Sequence, residues 1–226
     1  MLTDGAVIRT MDDMIKIVEE DGILPLFTNS IPGFSVEEHV DPAVWFSDRP
    51  GPWEWKGPVI RETGCAYGKV FENKAAFVRR DLYLHLANYR RDGYDFDARF
   101  DDGLASFRDR ELFELVDLRS PALSRDLKAE GGYGGKDGKK GFETLVTRLQ
   151  KQCYVLISDF AYDVDKNGKR YGWGIGVYST PEKFFGPSFR REVYGCAPGE
   201  SREILLRHLG KLLPGAPEKK LEKFLG

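Results

Sequence analysis

Between Phe142 and Gln150 the apolar residues Phe142, Leu145, Val146 and Leu149 fall at i, i+3, i+4 and i+7. That spacing predicts a helix with one buried stripe and a polar face of Glu143, Thr144, Thr147, Arg148 and Lys151. Two shorter helical patterns precede it. Arg108–Leu118 puts Leu112, Leu115 and Val116 on one side, and Ser120-Pro121 ends it, since proline supplies no N–H. Ser124 is placed to cap the next short helix, SRDLKAE, which Gly131 and Gly132 close. After the third helix the period changes to two. Tyr154–Tyr162 and Tyr171–Tyr178 read as strands, and Asn167-Gly168 between them is a hairpin-turn signal. Helix, helix, helix, strand, turn, strand is the order of a winged helix-turn-helix.

The rest of the chain is patterned more weakly. Thr10 and Asp13 fit a capping box for a helix over Met11–Glu20, with Met14, Ile15 and Val18 inward. Ile23–Phe27 is a short apolar segment. Pro42–Pro58 reads as an ordered loop whose Trp45, Trp53 and Trp55 serve either as core or as a stacking platform for bases. Asn73 is read as the cap of a helix from Lys74 to about Tyr89. Ser201–Leu213 carries Ile204, Leu205, His208, Leu209 and Leu212 on one helical stripe. No internal repeat is visible. A polar turn at Asp101–Ser106 marks the expected boundary, giving an N-terminal region 1–105, a winged helix-turn-helix domain 106–186 and a C-terminal helical extension 187–226. The expected fold class is α+β, with a mostly helical N-terminal half.

Charge alters this picture. The 226 residues carry a net charge of −2, which taken alone argues against a polyanion partner. Divided along the chain, residues 1–118 carry −9, residues 119–191 carry +6 and residues 192–226 carry +1. The positive block coincides with the three helices and two strands. Either it meets a polyanion or it faces the acidic half of the same molecule. No apolar run approaches the roughly 18 residues of a membrane span. The opening MLTDGAVIRTMDDM lacks the layout of a signal peptide, and Cys65, Cys153 and Cys196 form no disulfide framework. A reduced, cytoplasmic setting is expected.

The third helix would present Thr144, Thr147, Arg148 and Lys151 to a groove, with Lys139 and Lys140 just before its first turn. Lys166, Lys169 and Arg170 in the hairpin would reach phosphates without reading sequence. Other motifs fail on spacing. Asp163-x-Asp165-x-Asn167-Gly168 begins like a calcium loop, but its twelfth position is Gly174 where a bidentate Glu is needed. Tyr133 stands where a phosphate-binding loop requires its first glycine. Gly172, Gly174 and Gly176 alternate too strictly for a dinucleotide fingerprint. His39, His85 and His208 lie too far apart for a zinc motif, and His85 reads as a packed helix residue. Asp92, Asp95, Asp97, Asp101 and Asp102 read as a solvated loop neutralised by Arg90, Arg91 and Arg99. Neither a metal nor a cofactor is expected. Gln150 and Gln152 form a QxQ pair able to orient water or hydrogen-bond a base, and they are the catalytic candidates.

IPGFSVEEHVDP, PWEWK, NYRRDGYDFDARFDDGLAS, GFETLVTRLQKQ and YGWGIGVYSTPEKFFG resemble segments of the bacterial proteins called AlkZ-related. That resemblance implies kinship with AlkZ-type DNA glycosylases, which stack tandem winged helices and excise damaged bases from duplex DNA. Those enzymes are longer and activate water with a QxQ or QxD pair near the start of the chain. Here QxQ occurs only at Gln150 and Gln152. Three readings follow: a duplex-DNA-binding protein, a glycosylase for alkylated bases, and a protein-interaction module whose basic face meets an acidic surface. The oligomeric state is left open.

Overall fold

The computed structural model describes residues 2, 7–45, 50–135, 137–166 and 170–226, with the side chains of residues 164 and 170–173 left out. Asn167-Gly168, where a turn is expected, and Lys169 therefore lie outside the described residues, as does the side chain of Arg170.

Helix α1 (Met11–Asp21) starts at the expected capping box. Thr10 Oγ1 accepts from the Asp13 N–H, and the Asp13 carboxylate accepts from Arg9 and Thr10. These backbone donors hold the Asp13 carboxyl below the usual carboxylate range. Strand β1 (Ile23–Pro25) follows, then α2 (Val36–His39), one 3-10 turn at Pro42–Val44, and α3 (Pro52–Thr63). The segment read as a loop is thus partly helical. Pro52 sits in the first turn of α3, where no N–H is needed. Trp45 and Trp55 are buried, and Trp53 is packed against the same core.

Strand β2 (Ala66–Phe71) comes next, and then β3 (Lys74–Val78), which takes the place of the first part of the helix expected from Lys74 to about Tyr89. Glu72 and Asn73 both take positive φ, 49° and 61°, and turn the chain back on itself. Asn73 is a hairpin residue rather than a helix cap, and α4 begins only at Arg80 (Arg80–Arg91). Next come α5 (Phe96–Asp101), α6 (Phe107–Arg119), β4 (Ala122–Leu123), α7 (Ser124–Glu130) and α8 (Phe142–Lys151). Asp95 caps α5 through the Ala98 N–H, so the aspartate-rich stretch is helical in part. Ser124 is the first residue of α7 rather than its cap, which falls at Leu123. Strands β5 (Leu156–Val164) and β6 (Arg170–Ser179) are followed by α9 (Pro181–Phe184), α10 (Phe189–Glu192), α11 (Pro198–Leu212) and α12 (Glu218–Leu225).

The six strands form one antiparallel sheet in the order β1-β3-β2-β5-β6-β4. This order reads the same from both edges. From α1 to β3 the elements run helix, strand, helix, helix, strand, strand, and from α6 to β6 they run so again. The repeat invisible in the residues is present in the topology.

Alternation along the strands splits the apolar residues between two cores. Leu24, Ala75 and Phe77 join the core containing α1, α3, α6 and α8, while Ile23, Ala76 and Val78 join that of α4, α11 and α12. On α8 the predicted stripe, Phe142, Leu145, Val146 and Leu149, is buried throughout.

Candidate nucleic-acid interface

The polar side of α8 faces open space. Thr144 and Arg148 are exposed, and Thr147, Lys151 and Gln152 are half-buried. All five line one cleft of about 640 Å³, together with Glu143. Two further walls come from the first half of the chain: Asn73 at the β2–β3 turn and Arg90 at the end of α4. Their positions depend on long-range strand pairing, so no local signal in the sequence could place them beside α8.

The basic residues are not equivalent. Arg148 is held by Asp109 at 2.7 Å, and Asp109 is buried at the start of α6, where it also accepts from the Ser106 N–H and hydroxyl. The guanidinium is thereby fixed at the cleft wall at the cost of part of its charge. Lys139 pairs with Glu111 at 3.2 Å and lies 5.9 Å from the Tyr133 ring centre. Lys140 is exposed, and its carbonyl accepts from Arg108. No ion pair joins Lys140, Lys151 or Lys166 to a described residue. The acidic residues that meet Lys139 and Arg148 thus belong to α6. Lys166 follows the C-terminal end of β5, and Lys139, Lys140 and Lys166 are not among the residues lining the cleft.

The two glutamines part company. Gln150 is 1% exposed. Its Oε1 accepts from the Lys69 N–H at 2.9 Å, and its Nε2 donates to the Val146 carbonyl at 3.2 Å. It ties α8 to β2, and a Cβ on Gly68 would stand 3.0 Å from Oε1, so a larger residue there would push the carboxamide aside. Only Gln152 of the pair reaches the cleft.

Elsewhere, burial pushes the Cys65 thiol up to about 12 and the Cys153 thiol to about 11, so neither supplies a thiolate near neutrality. His85 lies on α4 with Nδ1 3.0 Å from the Ser201 hydroxyl, as a packed helix residue. Among the described residues no group of three or more His, Cys, Asp or Glu is arranged to hold a metal ion. None of their helices is long and apolar enough to cross a membrane.

One antiparallel sheet flanked by helices, with an open polar cleft along one of them, defines a mixed α+β protein. The chain belongs to the AlkZ-related family, whose model, described as "AlkZ related", matches residues 8–226. No curated protein matches the chain, and no solved structure does.

Proposed function

We propose that this protein binds duplex DNA through α8 and acts as two fused winged-helix units, the second spanning residues 106–186. One observation carries the reading: Thr144, Thr147, Arg148 and Lys151 line a single open cleft. Short hydroxyls beside basic side chains on an exposed helix suit a groove. The order α6-β4-α7-α8-β5-β6, with β4 on β6 and β6 on β5, supports the winged-helix assignment. The family name, with its link to AlkZ, supports DNA as the partner. Three free cysteines agree with a reduced, cytoplasmic setting.

Titration of a fluorescent duplex at two salt concentrations tests the proposal. Affinity falls steeply with salt if phosphates are contacted. Reversing Lys166, Lys169 and Arg170 to Glu removes most of the affinity, as does reversing Lys140 and Lys151. No binding at low salt, or binding indifferent to both reversals, overturns the reading in favour of a protein partner.

The family link also favours a second reading, excision of alkylated bases. Gln150 supports it poorly, because both ends of its carboxamide are engaged inside the protein. Release of a modified base from alkylated duplex, lost in Gln152→Ala, would establish it.

A further inference from the structure

Charge is not spread evenly along α8. Arg148 and Lys151 belong to its last turn, whereas Glu143 stands in its first. Glu143 is the one acidic side chain among the described residues that line the cleft. Glu143, Thr147 and Lys151 are spaced i, i+4 and i+8, so they follow one another along one face of the helix. The rise from Glu143 to Lys151 is about 12 Å. The Glu143 side chain is 64% exposed, and its Oε1 accepts from Lys128 Nζ of α7 at 2.7 Å. Lys128 is 40% exposed and lies 5.1 Å from the Phe142 ring centre. A pair so solvated adds little stability. It restrains the carboxylate at the N-terminal end of the cleft and leaves it lone pairs for a further donor.

A carboxylate is out of place on a surface that meets only phosphate, since like charges repel. It suits a position where the ligand offers a hydrogen-bond donor. In the major groove of a duplex, guanine presents N7 and O6 and thymine presents O4, all of them acceptors. Adenine sets an N7 acceptor beside its N6 donor. Cytosine presents its N4 amino group with no acceptor of its own on that edge. The N-terminal residues of a helix lying in the groove are the ones that contact base edges, and Glu143 is such a residue.

We infer that Glu143 is a specificity-determining residue, which reads a cytosine by accepting from its N4 amino group. The inference rests on the DNA-binding reading of α8 and adds a base preference to it. Arg148 and Lys151, in the last turn, supply affinity for phosphates without reading sequence. Glu143 supplies less affinity than it removes wherever the backbone or an acceptor edge comes against it. One charge thus rewards cytosine and penalises the alternatives.

The test begins with selection by the full chain from a duplex pool randomised at its central positions. Wild type should enrich cytosine at one position by about fivefold or more, the lower end for one base contact. Glu143→Gln and Glu143→Ala should lose that enrichment while binding the unselected pool at least as tightly, because a repulsive charge is gone. Retained binding to the pool also shows that the variants are folded. The selected duplex is then titrated against a copy in which that cytosine is replaced by 2-pyrimidinone, which lacks the 4-amino group. The replacement should weaken wild type by about fivefold or more and leave Glu143→Gln nearly unchanged.

A carboxylate that serves only the Lys128 pair or the positive end of the α8 dipole would affect stability and leave base preference intact in both variants. That result overturns the proposal. So does enrichment of cytosine at no position, or an equal loss by wild type and Glu143→Gln on removal of the amino group. In each of these cases DNA binding still stands. No binding of wild type to the pool overturns the DNA-binding reading, and this assignment with it.

Discussion

Tyr67 on β2 lies opposite Ile157 on β5, and this antiparallel pair joins the two three-stranded halves of the sheet. Tyr67 is buried, with Phe77 of its own half 4.7 Å away and Phe160 of the other half 5.5 Å away between ring centres. One ring therefore bonds the halves through apolar contact where the backbone pairing changes hands. Tyr67→Ala should cost about 3–5 kcal/mol, the range for emptying a large aromatic site. Calorimetry should still show one transition, since residues of both halves share a core. Two separate transitions would contradict the shared core.

Gln150 makes a different prediction from Gln152. Gln150→Leu leaves the part-buried Lys69 N–H without its acceptor, which costs about 1–3 kcal/mol in urea denaturation. Gln152→Ala should change stability by less than about 0.5 kcal/mol, as expected of a side chain at a cleft wall. Equal effects of the two substitutions on stability would contradict this division of roles.

Asp109 serves the α6 cap and the α8 cleft together. Asp109→Asn weakens the hold on Arg148 and on the Ser106 hydroxyl at once. Because the Arg148 side chain is 45% exposed, solvent screens the ion pair, and the loss should be about 1–2 kcal/mol. DNA affinity should fall less in Asp109→Asn than in Arg148→Ala, since the first leaves the guanidinium in place. The comparison requires both variants titrated at one salt concentration.

Lys56 gives stability a pH dependence of defined sign. Its folded value of about 8 lies below the ordinary lysine value of 10.5. Between the two the unfolded chain holds a proton that the folded chain has released, so stability rises as pH rises through that window. Below pH 8 the buried charge opposes folding by on the order of 3 kcal/mol. Lys56→Met should therefore stabilise the fold by about 1–3 kcal/mol at pH 6.5, part of the gain being offset by the lost contacts with Trp53 and Phe160. The advantage should shrink toward pH 10. A variant with the same advantage at both pH values would show that desolvation of the charge is not its cause.

The clearest sequence signals were those complete within one turn or one stripe. The α8 stripe, the Thr10 capping box, the end of α6 before Pro121 and the strands β5 and β6 all formed where the pattern placed them. What escaped was structure that exists only through pairing. Lys74–Val78 carries two alanines and follows Asn73, which serves equally as a helix cap or a turn residue, so it has the local character of a helix. It becomes a strand because its neighbours on both sides pair with it and both of its faces are buried. Ala122–Leu123 is too short to carry any period. The cleft was half legible for the same reason: the α8 residues share a helical face, whereas Asn73 and Arg90 arrive from elements 50 or more positions earlier.

The Asn73 turn and α8 are both tied to β2, the turn through the pairing of Phe71 with Lys74 and α8 through the bond from the Lys69 N–H to the Gln150 side chain. Opening the two sides of the cleft like a jaw therefore costs the hydrogen bond between the Lys69 N–H and Gln150. Shape adjustment falls to the ligand: a straight, stiff duplex and a bent or locally flexible one of equal charge should bind differently, and the protein acts as a template against which deformability is measured.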